Sequence, residues 1–179
     1  MKPPVTYAEW SALLTSLRKI SDNDEEILCM LEQGSIEWTA GVGEKIGSLS
    51  LKVIENRLQS TSELLLTELK RLEGEEAALI KALINTRKRF SFVHRFCQIK
   101  AFPDEVKDIL LEVLNQFVND SQNALVASTR HDRSGRLAYL VKSNSLLDYR
   151  QAEAPSPSPN NPVNYGNGKT TNRRRVLFR

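Results

Sequence analysis

Two histidines, two cysteines and one glycine-rich stretch are the places where this chain could carry chemistry. His131 stands in "RHDRSGR" with Asp132 and Ser134 beside it, the composition of a nucleophile triad. Triad members are brought together by the fold, so adjacency in sequence argues nothing, and the segment reads as a polar turn between helices. His94 is a lone histidine that meets few of the geometric conditions for a general base or a ligand. Cys97 follows His94 and Arg95, neighbours that lower a thiol pKa when the sulfur is exposed. Its place on an apolar stripe argues instead for a buried, inert thiol. Gly41, Gly43 and Gly47 crowd together as in a phosphate-cradling loop. No GK[ST] follows and no strand precedes, so the segment reads as a loop or helix start packed beside Trp38. No Cys-x-x-Cys, His-x-x-x-His or Glu-x-x-His spacing occurs, and Glu25–Glu26 and Glu75–Glu76 read as solvated helix starts. We assign no catalytic residue, no metal and no cofactor, and read the chain as non-enzymatic.

Charge is the stronger signal. The formal net charge of +3 conceals alternating blocks. Residues 1–80 hold 8 basic and 14 acidic groups, while residues 81–102 hold 6 basic and none acidic. Residues 103–128 hold 1 against 5, residues 129–150 hold 5 against 2, and residues 151–179 hold 5 against 1. Antiparallel packing of such blocks lets them neutralise one another. Within "NTRKRFSFVHRFCQIK" the aromatic residues fit burial on two sides of a central helix. Lys81, Lys88 and Arg95 share an edge at sevenfold spacing. That edge faces solvent, an acidic helix such as 103–128, or a partner. Arg87, Lys88, Arg95 and Arg133 are the candidate partner-binding residues of the body.

These residues need helices to hold them. Glycine is sparse and Leu, Ala, Lys, Arg and Glu are plentiful, which favours helix. Trp10, Leu13, Leu14 and Leu17 predict a helix over about 5–20, after Pro3 and Pro4. Ser21, Asp22 or Asn23 caps a short helix that Gly34 stops. Leu51, Ile54, Leu58, Thr61, Leu65, Leu69 and Leu72 form a near-heptad seam from about 44 to 72. Gly74 breaks or bends it. Leu79, Leu83, Thr86, Phe90, Val93 and Cys97 mark a second long helix over about 75–100. Pro103 opens a third, reaching about Thr129 and carrying Ile109, Leu110, Leu114, Val118 and Val126. A polar break at Gly135 precedes a short helix or extended arm.

From about residue 151 the sequence turns to Pro, Ser, Asn and Gly and cannot bury enough surface to offset ordering entropy, so a disordered tail is expected. It ends in "RRRVLFR". Arg173, Arg174, Arg175, Leu177 and Phe178 are the candidate contact residues there. We expect an all-α fold: an antiparallel bundle or elongated coiled-coil-like hairpin of five to six helices over 1–150, with a tail over 151–179. No run of 18 apolar residues predicts a transmembrane segment. The expected function is a cytoplasmic adaptor or assembly subunit that binds a partner protein or itself through helix faces, with the tail as a tethered second contact. The alternative is an accessory nucleic-acid binder using 81–100, 130–136 and the Arg-rich tail.

Overall fold

A computed structural model describes residues 2–71, 76–129 and 133–153. The described residues form six α-helices and a closing 3₁₀ helix, with no strand among them: α1 Tyr7–Leu17, α2 Asp24–Gln33, α3 Ala40–Arg71, α4 Glu76–Cys97, α5 Asp104–Ser128, α6 Arg136–Ser143 and η Leu146–Glu153. The all-α expectation holds. Gly74 and the tail beyond Glu153 lie outside the described residues, as do Arg130, His131 and Asp132.

Local reasons show at several helix ends, although Asn23, at the N-cap of α2, makes no side-chain capping bond. Thr6 and Glu9 make a reciprocal capping box at the start of α1, satisfying amides that a helix start leaves orphaned. Gly34 ends α2, but its φ of −71° is not left-handed. Glycine is needed there for space: a Cβ would meet Trp10 Cζ2 at 2.8 Å and Pro4 Cγ at 2.9 Å. Gly41, Gly43 and Gly47 lie inside the first turns of α3, so the helix starts earlier than its leucine seam implies. A Cβ on Gly43 would sit 3.0 Å from the Trp38 ring, which accounts for that glycine by packing. Gly135 is the one described residue that uses the left-handed region, at φ 69°.

The three long helices form the frame. Arg57 and Thr61 of α3 face Phe92 and Lys88 of α4, so this pair is antiparallel. The N-terminal half of α3 adjoins Val106 and Ile109 of α5, and its later turns adjoin Ser121–Ser128. These two helices therefore run parallel. Ile54, Leu58, Thr61 and Leu65 are buried as the seam predicts, and so is the whole stripe from Leu79 to Cys97. Phe90, Phe92 and Phe96 are all buried, on two sides of α4. Phe90 meets Phe117 and Tyr149, while Phe96 joins Trp10 and Trp38 around Phe102. Two α5 residues counted with the apolar face are instead outside it: Ile109 is 55% exposed and Val126 is 45% exposed.

Arg57 ties the N-terminal helices to this frame. It is 5% exposed and donates through Nη1 to Asp24 Oδ2 at 2.6 Å, through Nε to Leu17 O at 2.6 Å and through Nη2 to Lys19 O at 3.1 Å. Leu17 is the last residue of α1, where carbonyls lack intrahelical donors and carry partial negative charge, and Lys19 lies just past the Arg18 cap. The guanidinium also lies 4.6 Å from the Phe92 ring centroid. Asp24 accepts further bonds from Ser21 N and Oγ. Burial pushes the Asp24 carboxyl up, but the Arg57 and Ser21 hydrogen bonds and the guanidinium charge outweigh it, so it titrates below its ordinary value.

Removing Arg57 leaves a buried carboxylate and uncapped carbonyls. Arg57→Ala is expected to cost about 3–5 kcal/mol in urea unfolding, the range for one partner of a buried pair. Because the folded pKa of Asp24 is depressed, its contribution is present above the unfolded value of about 3.9 and is lost as pH falls through the folded value. Wild type should therefore lose stability on acidification below about pH 4 more steeply than Asp24→Asn.

Candidate functional site

The basic edge of α4 was the leading candidate surface. Lys81 and Lys88 are exposed on it, and Arg87 and Arg89 are half-buried. Arg95 is engaged inside the fold. Its Nη1 donates to Glu25 Oε2 at 2.8 Å and its Nη2 to Glu32 Oε1 at 3.1 Å. Burial alone would lower the Arg95 pKa, and the two glutamates more than reverse that, holding it above its usual value. The acidic partner of this edge is thus α2, not α5. The pairing follows from Arg57, since clamping Asp24 onto α3 brings the next turns of α2 against α4.

Lys88 and Arg89 line a cleft of about 230 Å³ beside the clamp, with Ile20, Thr61, Phe92 and Val93. Its charges are mixed, because Asp24 and Glu25 share the lining with Arg57. Arg87 Nε and Arg89 Nη1 are shielded from solvent and have no hydrogen-bond partner among the described residues. Arg133 is exposed just before α6 and is not brought to the α4 edge by any described contact. Arg136, three residues on, pairs with Glu76 at 2.9 Å. Arg173, Arg174, Arg175, Leu177 and Phe178 lie outside the described residues.

No group of His, Cys, Asp and Glu that could hold a metal ion converges among the described residues. His94 packs edge-on against Tyr149, at 5.7 Å between ring centroids. Cys97 is fully buried, and burial pushes its thiol up to about 12. No described helix is long and apolar enough to cross a membrane. No protein-family model, curated protein or solved structure matches the chain.

The surface that sequence reasoning missed is a seam. The α4–α5 seam is covered by α6 and η, and the α3–α4 seam by α1 together with the α2 ion pairs. Among the described residues, nothing packs on the outer side of the α3–α5 seam at its two clefts. One, of about 350 Å³, is lined by Gly43, Glu44, Gly47, Leu51, Val106 and Ile109. The other, of about 140 Å³, is lined by Leu65, Leu66, Leu69, Ala124, Leu125 and Ser128. Residues 47 to 69 of a helix span about 33 Å, so the two clefts are separate stations along the same seam. Its rims carry Leu66, 54% exposed, and Ile109. Part of the signal was in the sequence: Leu66 lies off the α3 seam of Leu58, Leu65 and Leu69, whereas Ile109 has the spacing of a core residue.

Two outcomes check this assignment of roles. A thiol-specific disulfide reagent should label one cysteine of the native chain, the exposed Cys29, and both after unfolding. Arg95→Ala should lower unfolding stability by about 0.5–1 kcal/mol, while Lys88→Ala stays within about 0.5 kcal/mol of wild type.

Proposed function

We propose that this protein is a non-enzymatic helical adaptor or assembly subunit. It binds a partner protein through the α3–α5 face and uses its C-terminal tail as a tethered second contact. The observation that carries this reading is the open seam, with large aliphatic side chains on both rims and small residues between them. An apolar patch of this kind, rimmed by polar residues, is how helix-binding surfaces present themselves. Helix-in-groove docking uses anchors one turn apart on the incoming helix, and each cleft extends over about two turns of α3. Tethering by the tail raises the effective concentration of the second contact without a large interface. We assign a reducing, cytoplasmic setting, in keeping with two unpaired cysteines.

The alternative is nucleic-acid binding through Lys81, Lys88, Arg89 and Arg133. It is weakened because Arg95 is committed to Glu25 and Glu32. Affinity capture from the native host separates the two readings. Wild type should retain one stoichiometric protein, and Leu66→Glu should lose it at least tenfold without loss of helicity. Recovery of nuclease-sensitive material by both chains, with no defined protein, would favour the alternative.

A further inference from the structure

The wider cleft of the seam has an acidic border. Glu44 lines it. On α5, Glu105 and Glu112 stand four before and three after Ile109, which puts all three on one side of the helix, and Asp108 is adjacent. All four acids are exposed. The nearby cations are turned to other work. Lys107 bonds Asp104 at 3.2 Å, and Lys45 sits over the Tyr7 ring of α1 at 5.8 Å. Lys52 follows Lys45 by seven residues and shares its flank of α3. The floor is apolar, made of Leu51, Val106 and Leu110. Gly47 leaves a notch in it, since a Cβ there meets nothing within 4 Å. A glycine inside a helix costs about 1 kcal/mol relative to alanine, and no internal contact of this body requires it.

Such a cleft fits a short segment with aliphatic or aromatic side chains next to a run of arginines. This chain carries one: "RRRVLFR", residues 173–179. The path of η brings the chain toward it. Leu146 N donates to Gln122 Oε1 at 2.8 Å, and Tyr149 Oη donates to Asn115 Oδ1 at 2.8 Å. The 3₁₀ helix thus runs back along α5 toward its N-terminal half, where Ile109 lies. Residues 154–172 separate its end from the first arginine. Nineteen residues span on the order of 24 Å as a coil, or about 59 Å as a polyproline helix. The distance to cover is one helix diameter, about 10–12 Å.

We propose that residues 173–179 dock in cis into the α3–α5 cleft beside Ile109. Leu177 and Phe178 fill the floor, and Arg173–Arg175 face Glu44, Glu105 and Glu112. The proposal rests on the reading of this seam as a binding face and names its resident occupant. The partner then either engages the free cleft around Leu66 or displaces the tail. Single charge pairs at this surface are weak, so the contact is reversible and salt-sensitive.

The test is methyl NMR of the full chain at several concentrations. Leu177→Asp with Phe178→Asp should shift the methyl signals of Leu51, Val106 and Ile109, and leave Leu14 and Leu28 in place. A synthetic peptide of residues 169–179, added to that variant, should restore the wild-type positions. Its affinity should fall at least tenfold when Glu105→Lys and Glu112→Lys are also present. Identical spectra for wild type and the tail variant would overturn the proposal. So would shifts confined to Leu65, Leu69 and Leu125, or shifts that grow with concentration alongside a dimer mass. The last result would give the cleft to a second copy's tail. Failure here with capture of a Leu66-dependent partner intact would remove the occupant and leave the adaptor reading standing.

Discussion

One guanidinium holds the N-terminal third of the body in place. Arg57 sits on α3, yet its donors end α1, neutralise the first residue of α2 and stack on α4. A buried ion pair repays its desolvation only when the remaining donors are also satisfied, and here Nε, Nη1 and Nη2 are each occupied. The geometry leaves little freedom to α1 and α2. They close the α3–α4 seam and bring Glu25 and Glu32 to Arg95. By covering that side, the clamp decides which side of the bundle stays open.

The alternating charge blocks acquire a meaning from this arrangement. The basic run on α4 is answered in part by the acidic start of α2, so Arg95 is structural while Lys81 and Lys88 remain at the surface. On the acidic block of α5, Asp104 pairs with Lys107 and Asp120 accepts from Gln116, while Glu105 and Glu112 are exposed on the side of Ile109. The exposed acids of α5 are therefore next to the exposed Ile109 side chain. This arrangement suits a partner that is basic and amphipathic, and disfavours a second α5 face packed against the first.

The helices and their buried stripes were legible in the sequence because each depends on neighbours three and four residues away. Leu79, Leu83, Phe90, Val93 and Cys97 are buried on the face their spacing marks. The inertness of Cys97 followed from the same stripe. The Arg57–Asp24 clamp was not legible, since its partners are 33 residues apart and Asp24 read as one acid of a helix start. The Trp38 indole donating to the Ala101 carbonyl is a contact of the same kind. The candidate groove was hidden for a different reason. Ile109 and Val126 carry helical periodicity like any core residue, and only the placement of α1, α6 and η shows that none of the described elements covers Ile109.

Hydrogen exchange on the chain alone and within its native complex tests most directly the proposal that the α3–α5 face receives a partner. Added protection is expected over residues 62–69 and 121–128, with the α1–α2 face unchanged. Protection that falls instead on residues 25–33 or along the Lys81–Lys88 edge, with the seam unaltered, would contradict it.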